Sequence, residues 1–243
     1  MKFYGLVGRT LSHSFSEKYF TEKFQREHIT NCQYRNFELK ELKTEIGKLK
    51  NDPDLKGLNV TIPYKTEIIP FLDELSEECK VINAVNCIKI TNGKWKGFNT
   101  DITGFERSFV AHLKSFHQKA LILGTGGASN AVAFVLEKLN IHFLKVSRQK
   151  NSFAVISYEE VPEIFKHFQI VINTTPLGTF PNVNECPPLP YDLITDQYYF
   201  FDLVYNPAKT LFLSLAEKHG AAIENGKEML AIQAEESWKI WNE

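Results

Sequence analysis

The chain has 243 residues, 43% of them hydrophobic and 23% charged, with 28 basic side chains against 29 acidic ones and a net charge of −1. That length suits one large domain or two modest ones with a real core, and the charge balance gives no basic footprint for nucleic acid. No run of about 18 apolar residues is present to span a bilayer, the start Met1-Lys2-Phe3-Tyr4-Gly5 lacks a signal organisation, and Cys32, Cys79, Cys87 and Cys186 make no CxxC pair or zinc set. A cytoplasmic protein with reduced thiols, no metal, no membrane contact and a small-molecule substrate is expected.

In chain order, residues 3–7 read as a strand and 14–28 as a helix, with Tyr19, Phe20 and Phe24 near helical spacing. Ser14, with Glu17 three residues on, has the form of a capping box. A strand at 32–37, a helix at 41–50 and the apolar run 57–62 follow. Pro63 stops that run where a helix is predicted to begin, since proline is tolerated in a first turn. Residues 85–90 and 94–98 flank Asn92-Gly93, the strongest short hairpin signal. A helix at 103–116 then leads to 119–124, whose continuous apolarity predicts a buried parallel strand. Gly126-Gly127-Ala128 opens a small-residue helix ending near Asn140. Strands at 142–146, 169–173 and 199–204, helices at 161–168, 210–219 and 227–241, and an irregular stretch at 179–193 with four prolines complete the pattern. Strand and helix alternating in two blocks predict an α/β fold of two lobes with a cleft between them.

Gly124-Thr125-Gly126-Gly127-Ala128-Ser129 follows a strand and opens a helix. Gly124 permits a tight turn, Gly126 lets the backbone approach a pyrophosphate, and free N–H groups at the helix start face the anion. Ser129 departs from the strict G-x-G-x-x-G/A pattern, and such turns also occur only to reverse the chain. The next strand ends in Ser147-Arg148-Gln149-Lys150, with no carboxylate until Glu159. An acid there would meet a free ribose 2′-hydroxyl, whereas Arg148 and Lys150 suit a 2′-phosphate and favour NADP over NAD.

Lys65, just past the buried run, is a cation in a first helical turn, where the macrodipole disfavours it. It is either a surface lysine or one with a catalytic task. Asp101, in Asn99-Thr100-Asp101, suits a helix N-cap, and Asn83 of Asn83-Ala84-Val85-Asn86 suits a turn.

Taken in order, Ser12-His13-Ser14-Phe15-Ser16, Asn59-Val60-Thr61-Ile62-Pro63-Tyr64-Lys65, Ala84-Val85-Asn86, Asn99-Thr100-Asp101 and the glycine turn resemble the motifs of shikimate dehydrogenases. So do Asn173-Thr174-Thr175-Pro176-Leu177-Gly178, Asp202-Leu203-Val204-Tyr205-Asn206-Pro207, and Gly226 with Met229-Leu230 and Gln233; the resemblance runs from residue 5 to about 233. It implies NADP-dependent interconversion of 3-dehydroshikimate and shikimate, toward chorismate and the aromatic amino acids. It also implies a substrate-binding lobe of residues 1–101 with 226–243, and a Rossmann-like NADP-binding lobe of residues 102–225.

By position in that resemblance, Ser14, Ser16, Asn59, Thr61, Lys65, Asn86, Asp101, Tyr205 and Gln233 would hold the substrate's carboxylate and hydroxyls. Lys65 and Asp101 are the candidates for moving the proton, with the choice between them open. Gly124, Thr125, Gly126, Gly127 and Ala128 would take the pyrophosphate, and Ser147, Arg148 and Lys150 the 2′-phosphate. Pro176, Gly226 and Met229 would border the nicotinamide, with Thr174 also on the cofactor side. Departures from the family pattern are Glu17 where many members have proline, Cys87 for threonine and Asn83 for glycine. Ten residues follow Gln233, so a further terminal helix is not expected. Alternatives are a quinate/shikimate dehydrogenase that also uses NAD, and a catalytically silent ligand-binding homologue, against which the presence of Lys65 and Asp101 counts. A monomer or homodimer is expected.

Overall fold

Alternating apolar residues, caps and turns lay the chain out as a computed structural model describing residues 1–11, 14–148 and 155–243. The first elements are β1 (Lys2–Gly8), α1 (Phe15–Arg26), β2 (Cys32–Glu38), α2 (Leu42–Lys50), β3 (Leu55–Val60), α3 (Tyr64–Glu67), β4 (Glu74–Leu75), α4 (Glu77–Ile82), β5 (Cys87–Thr91) and β6 (Lys94–Phe98). Then come α5 (Asp101–Val110), β7 (Lys119–Leu123), α6 (Gly127–Lys138), β8 (His142–Val146), β9 (Val155–Ile156), α7 (Val161–Ile164), β10 (Ile170–Asn173), β11 (Tyr199–Asp202), α8 (Leu211–Lys218), β12 (Ala222–Asn225) and α9 (Gly226–Asn242). The chain divides into two compact units, Met1–Thr100 with Ala231–Glu243, and Asp101–Leu230.

The first unit is built on a sheet of order β2-β1-β3-β5-β6-β4, parallel at β2-β1-β3 and antiparallel through the β5–β6 hairpin. Asn92 and Gly93 turn that hairpin with φ of 52° and 76°, the pair of left-handed residues a type I′ turn needs. Period-two alternation splits β1 between two cores. Val7 packs with Leu42 and Ile46 of α2 and Tyr64 of α3. Tyr4 and Leu6 face Phe20 and Phe24 of α1 and Trp241 of α9. Tyr4 stacks on Trp241 at 4.8 Å, and Gly57 stays bare beneath the same indole, because a Cβ there would lie 2.4 Å from the ring.

Some boundaries differ from expectation. Ser14 Oγ accepts the Glu17 N–H at 3.3 Å, but the Glu17 carboxylate takes Asn36 Nδ2 at 2.7 Å, so only half of the capping box forms. Pro63 precedes α3 as its cap instead of lying in its first turn. The helix predicted over 103–116 ends at Val110, because the buried His117 ring takes the Lys114 N–H at 3.1 Å that a longer helix would need. β4, α4, β9 and β12 are short elements outside the predicted set.

In the second unit every strand pair among the described residues is parallel, in the order β12-β11-β10-β7-β8-β9. Near-continuous apolar strands suit a sheet covered on both faces. Phe105 and Phe109 of α5 pack on Phe201 and Tyr199, with α6 beside α5, while Val161 of α7 and Phe212 and Leu213 of α8 cover Leu121, Val171 and Phe200. The strand order reverses between β7 and β10, the switch point outside which ligands bind in doubly wound sheets.

Candidate active site

In the first unit, polar side chains converge where β3, β5 and α9 meet. Asn59 on β3 lies on the face of the sheet that Tyr34 shares, since Tyr34 pairs with Tyr4 and Asn59 with Leu6 across β1. The Tyr34 hydroxyl donates to Asn59 Oδ1 at 2.9 Å. Asn59 Nδ2 donates to Ser237 Oγ at 2.8 Å and to the Asn86 carbonyl at 3.3 Å. Both amide hydrogens of Asn59 are therefore committed within the protein. Asn86 is the opposite case: its Oδ1 accepts the Thr100 N–H at 2.7 Å and the Thr100 hydroxyl at 3.3 Å, and its Nδ2 meets no acceptor among the described residues.

Lys65 sits on α3, which is fixed at two points. The Tyr64 hydroxyl donates to the carbonyls of Leu39 at 2.6 Å and Lys40 at 3.1 Å, and the Lys65 carbonyl accepts the Val85 N–H at 2.7 Å. Thr61, between β3 and α3, and Gln233 of α9 are half-buried, with no side-chain partner among the described residues. Ser16 lies in the first turn of α1 and faces the Tyr34 hydroxyl.

In the second unit, Gly124 follows β7 with φ +112°, and a Cβ there would meet Thr174 Oγ1 at 2.7 Å. Thr174 follows β10 and donates its hydroxyl to the Leu123 carbonyl at 2.6 Å, so the two strand ends at the switch point are tied together. Gly126 is the residue before α6 and is exposed, with nothing within 4 Å of a Cβ built on it. The first-turn N–H groups of α6 lack intrahelical partners, and the open space beside them fits a pyrophosphate. Ser129, the departure from the glycine pattern, folds its hydroxyl back onto the Gly126 carbonyl at 2.7 Å and is fully buried. A small hydroxyl answered locally thus packs where glycine or alanine is usual.

The loops after β10 and β11 are lashed by one buried carboxylate. Asp202 accepts from Thr210 Oγ1 at 2.6 Å, Asn173 Nδ2 at 3.0 Å and the Val204 N–H at 3.0 Å. Burial pushes its pKa up to about 6, against the pull of these three donors. Asn173 Oδ1 in turn holds the Thr175 N–H at 3.0 Å and hydroxyl at 2.6 Å, just before Pro176. Gly226 opens α9, where a Cβ would lie 2.2 Å from the Leu203 carbonyl. Met229 is buried behind it.

A family model described as the shikimate dehydrogenase substrate binding domain matches residues 6–88. The shikimate dehydrogenase (NADP(+)) of Methanococcus maripaludis is 38% identical over 256 residues, covering 99% of this chain and 91% of that protein. The chain belongs to the shikimate dehydrogenase family. The crystal structure of shikimate dehydrogenase 1 from Peptoclostridium difficile matches with a TM-score of 0.87 at 37% identity, covering 100% of this chain and 92% of that one. The enzyme from Thermus thermophilus, solved in complex with NADP(H) and shikimate, matches with a TM-score of 0.86 at 28% identity over 99% of this chain and 93% of its own.

Within this member of the shikimate dehydrogenase family, Ser14, Ser16, Asn59, Thr61, Lys65, Asn86 and Gln233 fall in the first unit. Asp101, Tyr205 and the residues expected at the cofactor, Gly226 and Met229 included, fall in the second, with Lys150 outside the described residues. Asp101 is 2% exposed and is the first residue of α5. Ser147 and Arg148 follow the end of β8, with Arg148 exposed near the Tyr158 phenol. Tyr34 and Ser237 lie outside every motif of the sequence, and Thr100 lies inside Asn99-Thr100-Asp101 without a part assigned to it. Ser237 stands four residues after Gln233, on the same face of α9, which is the one signal the sequence carries for it.

Among the described residues no helix is long and apolar enough to cross a membrane.

Proposed function

We infer that the chain is an NADP-dependent shikimate dehydrogenase, an oxidoreductase that reversibly reduces 3-dehydroshikimate to shikimate on the route to chorismate and the aromatic amino acids. The observation that carries this is the match along 99% of the chain to the Methanococcus maripaludis enzyme named for that reaction. The first unit is the substrate-binding one in this reading, and the second holds NADP. Gly124–Ala128 take the pyrophosphate, and Arg148, with Lys150, the 2′-phosphate.

Interconverting a ring alcohol and a ketone moves a hydride and a proton together. NADP(H), when bound, supplies or accepts the hydride. Lys65 carries the proton in this reading: as an ammonium it polarises the ketone oxygen and protonates it, and in reverse it takes the proton of the hydroxyl; Asp101 is the other candidate for that step. A positioned group of this kind contributes about 10²–10⁴-fold. The Nδ2 donors of Asn86, the Thr61 hydroxyl and the Gln233 carboxamide serve the substrate's hydroxyls, and Ser14 and Ser16 serve its carboxylate. Neutral donors in a desolvated pocket reject analogues that leave them unpaired. A monomer or homodimer in the cytoplasm fits this role.

Initial rates of NADPH formation from shikimate, with quinate and NAD run in parallel, test the assignment. The shikimate–NADP pair is expected to give the highest kcat/KM, and a chain inert toward shikimate would remove the reading.

A further inference from the structure

Five side chains of the first unit form one chain of hydrogen bonds whose direction is fixed at both ends. At one end, burial holds the Tyr34 phenol far above the usual tyrosine range, so the hydroxyl keeps its proton and donates it to Asn59 Oδ1 at 2.9 Å. The orientation of the Asn59 amide follows independently, because the Asn86 carbonyl 3.3 Å away can only accept and must face Nδ2. Asn59 Nδ2 then donates to Ser237 Oγ at 2.8 Å. At the other end, the Thr100 N–H can only donate, so it faces Asn86 Oδ1 at 2.7 Å. The Thr100 hydroxyl donates to that oxygen at 3.3 Å, which leaves the Ser237 hydroxyl to supply the proton across its 3.4 Å contact with Thr100 Oγ1. The Cys87 thiol beside Ser237 is pushed up to about 12 by burial and stays protonated.

We propose that Tyr34 and Ser237 are positioning residues of the substrate site, which run this directed chain from Tyr34 through Asn59, Ser237 and Thr100 to Asn86 and so aim Asn86 Nδ2 at the substrate. The proposal rests on the reading of Asn86 as a shikimate-binding residue. It gives Asn59 a different part from Asn86: with both amide hydrogens committed, Asn59 transmits orientation and does not donate to the ligand. Ser237 is 0% exposed and Asn86 4%, so water cannot take over the missing links, and networks of this kind couple beyond neighbouring pairs.

The test uses Tyr34→Phe and Ser237→Ala, each of which removes one hydroxyl and no carbon, alone and in an Asn86→Ala background. Each single variant is expected to raise the shikimate KM about fivefold or more and to leave the NADP KM within about twofold, with less than about twofold further change when Asn86 is already alanine. The Asn59 side-chain amide resonances, followed by ¹⁵N NMR in the whole protein, are expected to shift in both variants. Unaltered amide resonances, an unaltered shikimate KM, equal changes in both KM values, or full multiplication of effects in the double variants would each overturn the proposal. If Asn86→Ala itself leaves the shikimate KM unchanged, the substrate reading of Asn86 fails and takes the positioning role with it. Altered Asn59 resonances would then mark the chain as structural only.

Discussion

The Thr100 N–H donates to Asn86 Oδ1 at 2.7 Å and, together with the Thr100 hydroxyl at 3.3 Å, turns the Asn86 amide so that its Nδ2 side is left for a ligand. Replacing Asn86 by alanine removes the proposed substrate donors and also strands a buried N–H. The shikimate KM is expected to rise about tenfold or more, with a loss of about 1–3 kcal/mol in urea unfolding from the orphaned Thr100 group. Steady-state kinetics and denaturation on the same preparation check both parts.

Two glycines of the β7–α6 turn separate folding from cofactor binding. Gly126 has φ −80° and open space where a Cβ would go. Gly126→Ala should therefore keep the thermal midpoint within a few degrees while raising the NADP KM about tenfold or more, because the methyl group occupies the pyrophosphate's approach. Gly124→Ala places a Cβ at φ +112° and 2.7 Å from Thr174 Oγ1. It is expected to lower stability by about 1–3 kcal/mol as well as cofactor affinity.

Arg148 is exposed beyond the end of β8, and the sequence carries no acidic residue from there to Glu159. Arg148→Ala should cut kcat/KM for NADP about tenfold or more and leave that for NAD nearly unchanged, since only NADP carries the 2′-phosphate. Equal losses with both cofactors would count against its assigned part.

Much of this arrangement is legible in the chain itself. Asn92-Gly93 announces its hairpin, the glycine turn its strand-to-helix context, and Thr210 caps α8 as its type suggests. Ser76, followed by Glu77 and Glu78, carried a readable start for α4 that the apolar pattern of six residues did not reinforce. β12 is a four-residue edge strand of half-buried residues, too short for period two to register. What no local pattern can carry is partnership at a distance. Asn59 and Ser237 meet across 178 residues, and only the packing of α9 on the sheet, through Trp241 on Tyr4 and over Gly57, brings them together. Asn59, in a motif expected at the substrate, has its amide hydrogens on the Asn86 carbonyl and Ser237 Oγ, a partnership the motif does not announce.

His117 offers a pH test of the second unit. Its ring is buried, takes the Lys114 N–H on Nδ1 and gives its Nε2 proton to the Gln197 carbonyl at 3.1 Å. Burial, foremost, holds its pKa below the ordinary histidine value. The unfolded chain therefore takes up the proton first as pH falls, so the stability His117 contributes is present above about pH 6.5 and is lost as pH drops toward the folded value. Asp202, pushed up to about 6, titrates nearby with the opposite sign, because its protonation favours the folded state as pH falls. The comparison with His117→Gln isolates the histidine: urea unfolding should show wild type losing more stability than the variant between about pH 7.5 and about pH 5.5. Parallel profiles would contradict this.

Proton transfer by Lys65 at the alcohol of shikimate is the step on which the proposed reaction depends. The most direct measurement is the turnover number of wild type and Lys65→Ala at saturating shikimate and NADP. The predicted result is a fall of at least about a hundredfold in kcat with the shikimate KM within a few-fold. An unchanged kcat in the variant would contradict the account.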